Sequence, residues 1–286
     1  MPAGGRPTVR SRRLGTALKA YRLAAKMDQV EAAEAIAAHQ TRVSRIETGH
    51  VSARPLEIRA LLDAYGVRDT EVRQKLEDLA RQSKRRGWWL EHAAHLRPDY
   101  VDHIALEDDA TYIRDWQQVL VPGLLQTPAY TEAVIRTSPT YMEPERVAQM
   151  LQVREARQAK IEEGGVTYSA IIWEAVITHP LVSADVHRQQ LLAILEAGKR
   201  KNVTVQVLPF GVGALATVTS AFSAFSFESE PVVEAVALEN LRGTSVLEGA
   251  EDLAAYANMY DLLRSSALAP DASAKLIRGI LRSTKD

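Results

Sequence analysis

The stretch Met27 to Gly49, MDQVEAAEAIAAHQTRVSRIETG, decides how the rest of the chain is to be read. It reads as two short helices joined by a tight turn. Asp28 followed three residues later by Glu31 is a capping-box pattern, so the first helix begins at Gln29 and turns Val30, Ala33 and Ile36 inward. The pattern breaks near Ala37 to His39. A second helix over Gln40 to Thr48 puts Val43, Ile46 and Glu47 on one face. Gln40, Thr41, Ser44, Arg45 and Thr48 are left on the other, a polar face carrying hydrogen-bonding tips. Glu47 lies four residues after Val43, so its carboxylate faces inward, where it is costly unless paired. Arg22, four residues after Leu18 on the preceding helix, is the candidate partner.

Helices this short bury too little to stand alone. Leu14, Leu18, Tyr21 and Ala25 before them repeat at helical spacing, as do Ile58, Leu61, Leu62 and Tyr65 after them. A helix-turn-helix at the centre of four or five helices resembles the phage-repressor and Cro (Xre/Cro-type) class of DNA-binding domain. The resemblance implies that the first helix of the motif crosses the DNA backbone and the second lies in the major groove. It also implies an Arg and Glu pair tying the first helix of the domain to the end of the recognition helix, which Arg22 and Glu47 match. Gln40, Thr41, Ser44 and Arg45 are the base-edge candidates, because Gln pairs with adenine, Arg with guanine, and a threonine methyl meets the thymine methyl.

The phosphate candidates are Gln29, at a helix N-terminus where free N–H groups favour an anion, Arg42 on the flank, and Arg54 in the loop His50 to Pro55. Arg10, in company with Arg12 and Arg13, either touches phosphate or a minor groove or is an ordinary surface arginine. Two positions depart from the class: Ala37 stands where the turn commonly has Gly, and His39 where the cap is commonly Ser or Thr. An alanine in a left-handed conformation costs about 1–2 kcal/mol, so either the turn is shaped differently or the domain accepts strain.

A length of 286 residues suggests two domains, with boundaries expected at 1–83 and 84–286. Charge divides along the same line. Residues 1–90 hold 18 Lys+Arg against 10 Asp+Glu, whereas the remainder holds 17 against 26. A basic module on an acidic body is what attraction to phosphate requires. The absence of cysteine excludes disulfides, thiol nucleophiles and cysteine-ligated zinc. No apolar run approaches a membrane span of roughly 18 residues and no apolar signal core opens the chain, so a cytoplasmic, nucleoid-associated protein is expected. Residues 1–8 read as a loose arm, and Thr70 to Ser83 as a connector helix running into the basic triplet Lys84, Arg85, Arg86 and the pair Trp88, Trp89, taken as a packing anchor.

From about Tyr100 the pattern predicts helices at Ile104–Trp116, Pro128–Ile135 and Glu143–Glu162, then a strand at Val166–Trp173, a helix at Val186–Lys201 and a strand at Val203–Leu208, a parallel crossover. Phe222–Phe227 and Val232–Leu238 read as an added hairpin, and helices at Glu251–Ser266 and Ser273–Leu281 close the chain. The expected fold is multidomain: an all-α helix-turn-helix domain followed by an α/β (α+β) domain with a mixed sheet of about four strands covered by helices.

The segments VLVPGLLQTPAY (Val119 to Tyr130), VREARQAKI (Val153 to Ile161) and NVTVQVLPF (Asn202 to Phe210), with the final helix, resemble the effector domain of a large family of antitoxin-like transcriptional regulators from high-GC Gram-positive bacteria. The resemblance implies a regulator often encoded beside a small partner protein. That family often has a histidine after the Gly-Ala that follows the LPF segment; here the residue is Leu215, so no ligand site is built on it.

Enzymatic readings find little. His92, His95, Asp99 and His103 have spacing that suits a metal, but Pro98 interrupts any single ligand-bearing helix. Gly211, Gly213 and Ala216 are followed by another strand and not by the helix a dinucleotide needs. No catalytic, metal or cofactor residues are therefore expected. The loop Leu120 to Pro128 either packs on the sheet or lines a pocket or partner groove. The expected function is a dimeric repressor on a double-stranded DNA operator, a homodimer with a possible small neighbour-encoded partner protein; the alternative is a regulator whose C-terminal domain senses a small molecule.

Overall fold

Five helices build the first part of the chain: α1 (Val9–Ala24), α2 (Gln29–Ala35), α3 (Gln40–Glu47), α4 (Pro55–Ala64) and α5 (Thr70–Gln82). The structure, a computed structural model, describes residues 9–82, 87–93, 95–137, 143–227, 232–240 and 243–283. The arm at 1–8, the triplet Lys84 to Arg86 and the hairpin turn at 228–231 lie outside the described residues. Two compact units result, Met1–Trp88 and Trp89–Asp286.

The core of the first unit draws Leu14 and Leu18 from α1, Ala32 and Ala33 from α2, Val43 and Ile46 from α3, and Ile58, Leu61 and Leu62 from α4. Asp28 caps α2, accepting from Val30 N and Glu31 N, while Glu31 accepts from Asp28 N, a complete capping box. The inner face of α2 differs from expectation at one position. Val30 is 50% exposed, because the short helix turns Ala32 and Ala33 to the core and leaves Val30 on its flank.

Ala37 adopts the left-handed conformation at φ 49°. Its N–H donates to Glu34 O and that of Ala38 donates to Ala33 O, so the turn is a Schellman cap built on alanine where glycine is the usual choice. The end of α1 repeats the device at Lys26, φ 58°, with Met27 N donating to Arg22 O. Gly15 on α1 is required for another reason. A Cβ there would be driven into the carbonyl oxygens of Ile46 and Glu47, so its missing side chain lets α1 lie directly on the end of α3.

The second unit contains a sheet of six strands, where about four were expected. They are β1 (Tyr112–Gln117), β2 (Thr167–Trp173), β3 (Val203–Leu208), β4 (Phe222–Ser226), β5 (Ala235–Asn240) and β6 (Gly243–Leu247), in spatial order β3-β2-β1-β4-β5-β6. β1, β2 and β3 are parallel, and β4, β5 and β6 add antiparallel. The crossover between β2 and β3 and the neighbouring β4 and β5 match the expected mixed sheet. The missed strands are β1 and β6. The helix expected over Ile104–Trp116 ends at Asp109 as α6 (Pro98–Asp109), and the chain turns into β1, whose middle residues Arg114 and Asp115 mask the apolar alternation of a strand. β6, GTSVL, is a short edge strand with only Val246 and Leu247 as apolar side chains.

Helices α7 (Pro128–Arg136), α8 (Pro144–Gln158), α9 (Glu174–Thr178), α10 (Ala184–Ala197), α11 (Ala250–Ser266) and α12 (Pro270–Ser283) complete the unit. Trp116, Ile171, Phe222 and Val236 from the sheet pack with Tyr260 and Leu263 of α11. A buried polar cluster joins α6 and α8. Glu107 accepts from Arg157 Nε and Nη2, both at 2.6 Å, and faces His103 Nε2 at 3.1 Å, while Arg157 also donates to the Tyr100 hydroxyl. Burial alone would push the Glu107 carboxyl up, but Arg157 and His103 outweigh it and hold it well below the usual carboxylate range. On β1, burial pushes Asp115 up; it accepts from the Tyr168 hydroxyl at 2.6 Å and from that of Ser223.

The loop Leu120 to Pro128 packs inward. Val121, Leu124 and Leu125 are buried, and three glutamines satisfy its backbone: Gln126 donates to Val121 O, Gln190 to Leu125 O and Gln158 to Gly123 O. Leu120, Val121 and Gly123 also line a small cavity of about 80 Å³, the pocket-lining alternative of the two expected for this loop.

Candidate nucleic-acid interface

The candidate recognition element is α3, eight residues held at both ends. Val43 and Ile46 sit in the core, and Glu47 behind them is buried too. Arg22 Nε donates to Glu47 Oε1 at 2.6 Å and Nη2 to Oε2 at 3.0 Å, with side-chain exposures of 7% and 2%. Arg22 Nη1 completes its fork on Met27 O at 2.8 Å, the carbonyl that enters the α1–α2 turn. The expected pair is thus present, and it locks the far end of α3 to α1. The guanidinium is stabilised in its charged form, first by its hydrogen bond to Glu47, with burial opposing.

Glu47 has a third donor. Gln29 Nε2 reaches Glu47 Oε2 at 2.9 Å, and Gln40 Nε2 donates to Gln29 Oε1 at 3.3 Å. A continuous polar chain therefore runs from a buried ion pair, through the first residue of α2, to the first residue of α3. The sequence reading placed Gln29 beside a phosphate and did not foresee these bonds; the signal was a glutamine at the opening position of both helices.

The outer face of α3 carries Gln40, Thr41, Arg45 and Thr48 exposed, with Ser44 half-buried among them. The four base-edge candidates therefore share one face. His39 enters α3 with extended dihedrals and no side-chain cap bond, and its carbonyl accepts from Arg42 N at 2.8 Å. Thr48 folds its hydroxyl back onto Ser44 O at 2.8 Å, and His50 Nδ1 meets that hydroxyl at 2.9 Å.

The phosphate candidates divide. Arg54 is exposed at the start of α4, its backbone N–H donating to Glu57 at 2.6 Å. Gln29 is half-buried and engaged as described. Arg42 grips Glu57 with Nε and Nη2 at 3.1 and 2.9 Å and also reaches Ser52 O, so it fastens α3 to α4 instead of standing free for a backbone oxygen. Arg10 retains only 7% of its surface and is not displayed with the others. Burial would raise the Glu57 carboxyl, and its bonds to Arg42 and Arg54 N bring it below the usual range.

Elsewhere, the histidines considered for a metal go to separate partners, His92 to Gln149 at 2.8 Å and His103 to Glu107. No helix among the described residues is long and apolar enough to cross a membrane.

Comparison with known proteins gives two matches along the chain and none to a curated protein or a solved structure. Residues 13–76 match the family described as Helix-turn-helix domain, the span that holds the network around α2 and α3, which supports a DNA-binding regulator. Residues 100–279, covering the six-stranded sheet and most of its helices, match a second family, and the chain belongs to it: the Domain of unknown function (DUF5753).

Proposed function

We propose that this protein is a sequence-specific transcriptional regulator, a dimeric repressor of the antitoxin-like type that acts in the cytoplasm by binding and not by catalysis. In this reading α3 enters the major groove of a partly palindromic operator, and the C-terminal unit pairs the protomers or receives a small neighbour-encoded protein. The observation that carries it is the Gln29–Gln40 hydrogen bond on the outer face of α3, anchored through Glu47 to Arg22. Side-chain amides ordered before DNA arrives lose less rotamer freedom on binding, and Gln40 keeps its Oε1 and one N–H for the N6 and N7 of an adenine. Thr41, Ser44 and Arg45 supply adjacent contacts. Gln29 and Arg54 bracket the backbone, with Arg42 as a brace.

The test starts from DNA recovered by the full chain from random-sequence duplexes. On that site, Gln40→Ala and Arg45→Ala are each expected to cost roughly 1–3 kcal/mol while leaving affinity for random duplex unchanged. Unaltered discrimination in both variants would remove α3 from the readout.

A further inference from the structure

The C-terminal unit contains a recess that nothing in the DNA-binding reading uses. It holds about 270 Å³ and lies between the start of α6, one face of α8 and the ends of β5 and β6. A smaller neighbouring cavity, about 80 Å³, shares Arg154 and Glu239 with the first and reaches His103 and Glu107. The larger volume falls just under the roughly 300–1,000 Å³ of drug-sized ligand sites, a size for a small metabolite.

The charges that line it are unevenly matched. Arg97 is paired with Asp99 at 3.4 Å, and Asp99 in turn accepts from Thr244 N at 2.7 Å. Gly243 leaves room for this pair, since a Cβ there would strike both side chains. Arg157, one turn beyond Arg154, is held by Glu107. By contrast, Arg146 and Arg154 have no hydrogen-bond or ion-pair partner among the described residues, and with Met150 they occupy spacing i, i+4, i+8 along α8, all facing the recess. Deeper in, His103 is 2% exposed and its Nδ1 is buried without a partner. The other ring nitrogen, Nε2, faces the Glu107 carboxylate at 3.1 Å. A buried unsatisfied group of this kind calls for something to satisfy it.

We propose that this recess is a binding site for a small aromatic organic anion. Its carboxylate or phosphate is taken by the guanidinium forks of Arg146 and Arg154, which match either group bidentately. Its ring lies against Tyr100, Met150 and Leu96, and a hydroxyl at the far end bonds Glu239 or the unsatisfied Nδ1 of His103. Binding there depends on the C-terminal unit alone and stands whether or not α3 reads DNA.

Isothermal titration of the full chain with 4-hydroxybenzoate and with 4-hydroxyphenyl phosphate, against the neutral isostere 4-hydroxybenzamide, tests the proposal and separates the two anion types. Saturable binding of at least one anion and at least tenfold weaker binding of the amide are expected. Arg146→Gln and Arg154→Gln should each weaken the anion at least tenfold, with Arg154→Lys recovering part of the loss. Arg146 is exposed, so its replacement leaves the fold intact, which the melting curve of the variant verifies. Failure of both anions to bind, equal binding of the amide, or undiminished binding in both glutamine variants would overturn the assignment.

Discussion

Arg22 and Glu47 show how a single carboxylate organises a domain. The pair could be read in the sequence because Glu47 falls at a core position of an amphipathic helix, where only a partner makes it tolerable. Replacing it with alanine leaves the Arg22 guanidinium buried alone and frees Gln29, so Glu47→Ala should destabilise the N-terminal unit by about 3–5 kcal/mol in urea unfolding. A loss below about 1 kcal/mol would mean that water reaches the site.

Glu107 plays the corresponding part in the second unit, but no periodicity announced it, since its partner Arg157 is far away in sequence. Its carboxyl titrates below its unfolded value of about 4.3. The stabilisation is therefore complete above about pH 4.3 and is lost as pH falls through the folded value. Glu107→Gln should cost about 3–5 kcal/mol at neutral pH, and the gap to the parent chain should close in acid, as followed by tryptophan fluorescence of the C-terminal unit. The roles expected of Arg10 and Arg42 were harder to read, because an arginine on a helix flank has the same sequence signature whether it meets phosphate, a carboxylate or the interior.

Among the elements, α2, α3 and the turn between them were legible down to the capping box, since caps and 3.6-residue periodicity are local. The turn itself posed a choice between altered geometry and strain, and φ 49° at Ala37 settles it for strain. Ala37→Gly removes the Cβ clash at the expense of unfolded-state entropy, so a net gain of roughly 0.5–1 kcal/mol is expected, with operator affinity unchanged. Thermal unfolding of the two proteins measures it, and a drop in melting temperature would refute the strained turn. β1 and β6 escaped the sequence for a physical reason. A strand that puts Asp115 on one sheet face and Arg114 on the other, both buried and partnered by distant residues, carries no alternation of polarity. An edge strand half open to solvent carries little more.

For the whole molecule, each unit has its own core and the basic charge is concentrated in the first. If the C-terminal unit pairs the protomers, a fragment ending at Trp88 should keep the base preference of the full chain but bind its operator roughly 10²–10⁴-fold more weakly, as one arm of a bivalent grip. Fluorescence anisotropy at fixed salt measures this, and equal affinity would place the pairing surface, if any, in the N-terminal unit. The polar chain that ends on Gln40 has a further consequence for how such a reader changes its target over time. Gln40 inherits its pose from the protein's interior, whereas Thr41 and Arg45 owe nothing to it. In the proposed reading, new operators are reached by exchanging those two side chains, which lie outside the polar chain, while a change at the first position must be accommodated all the way back to α1.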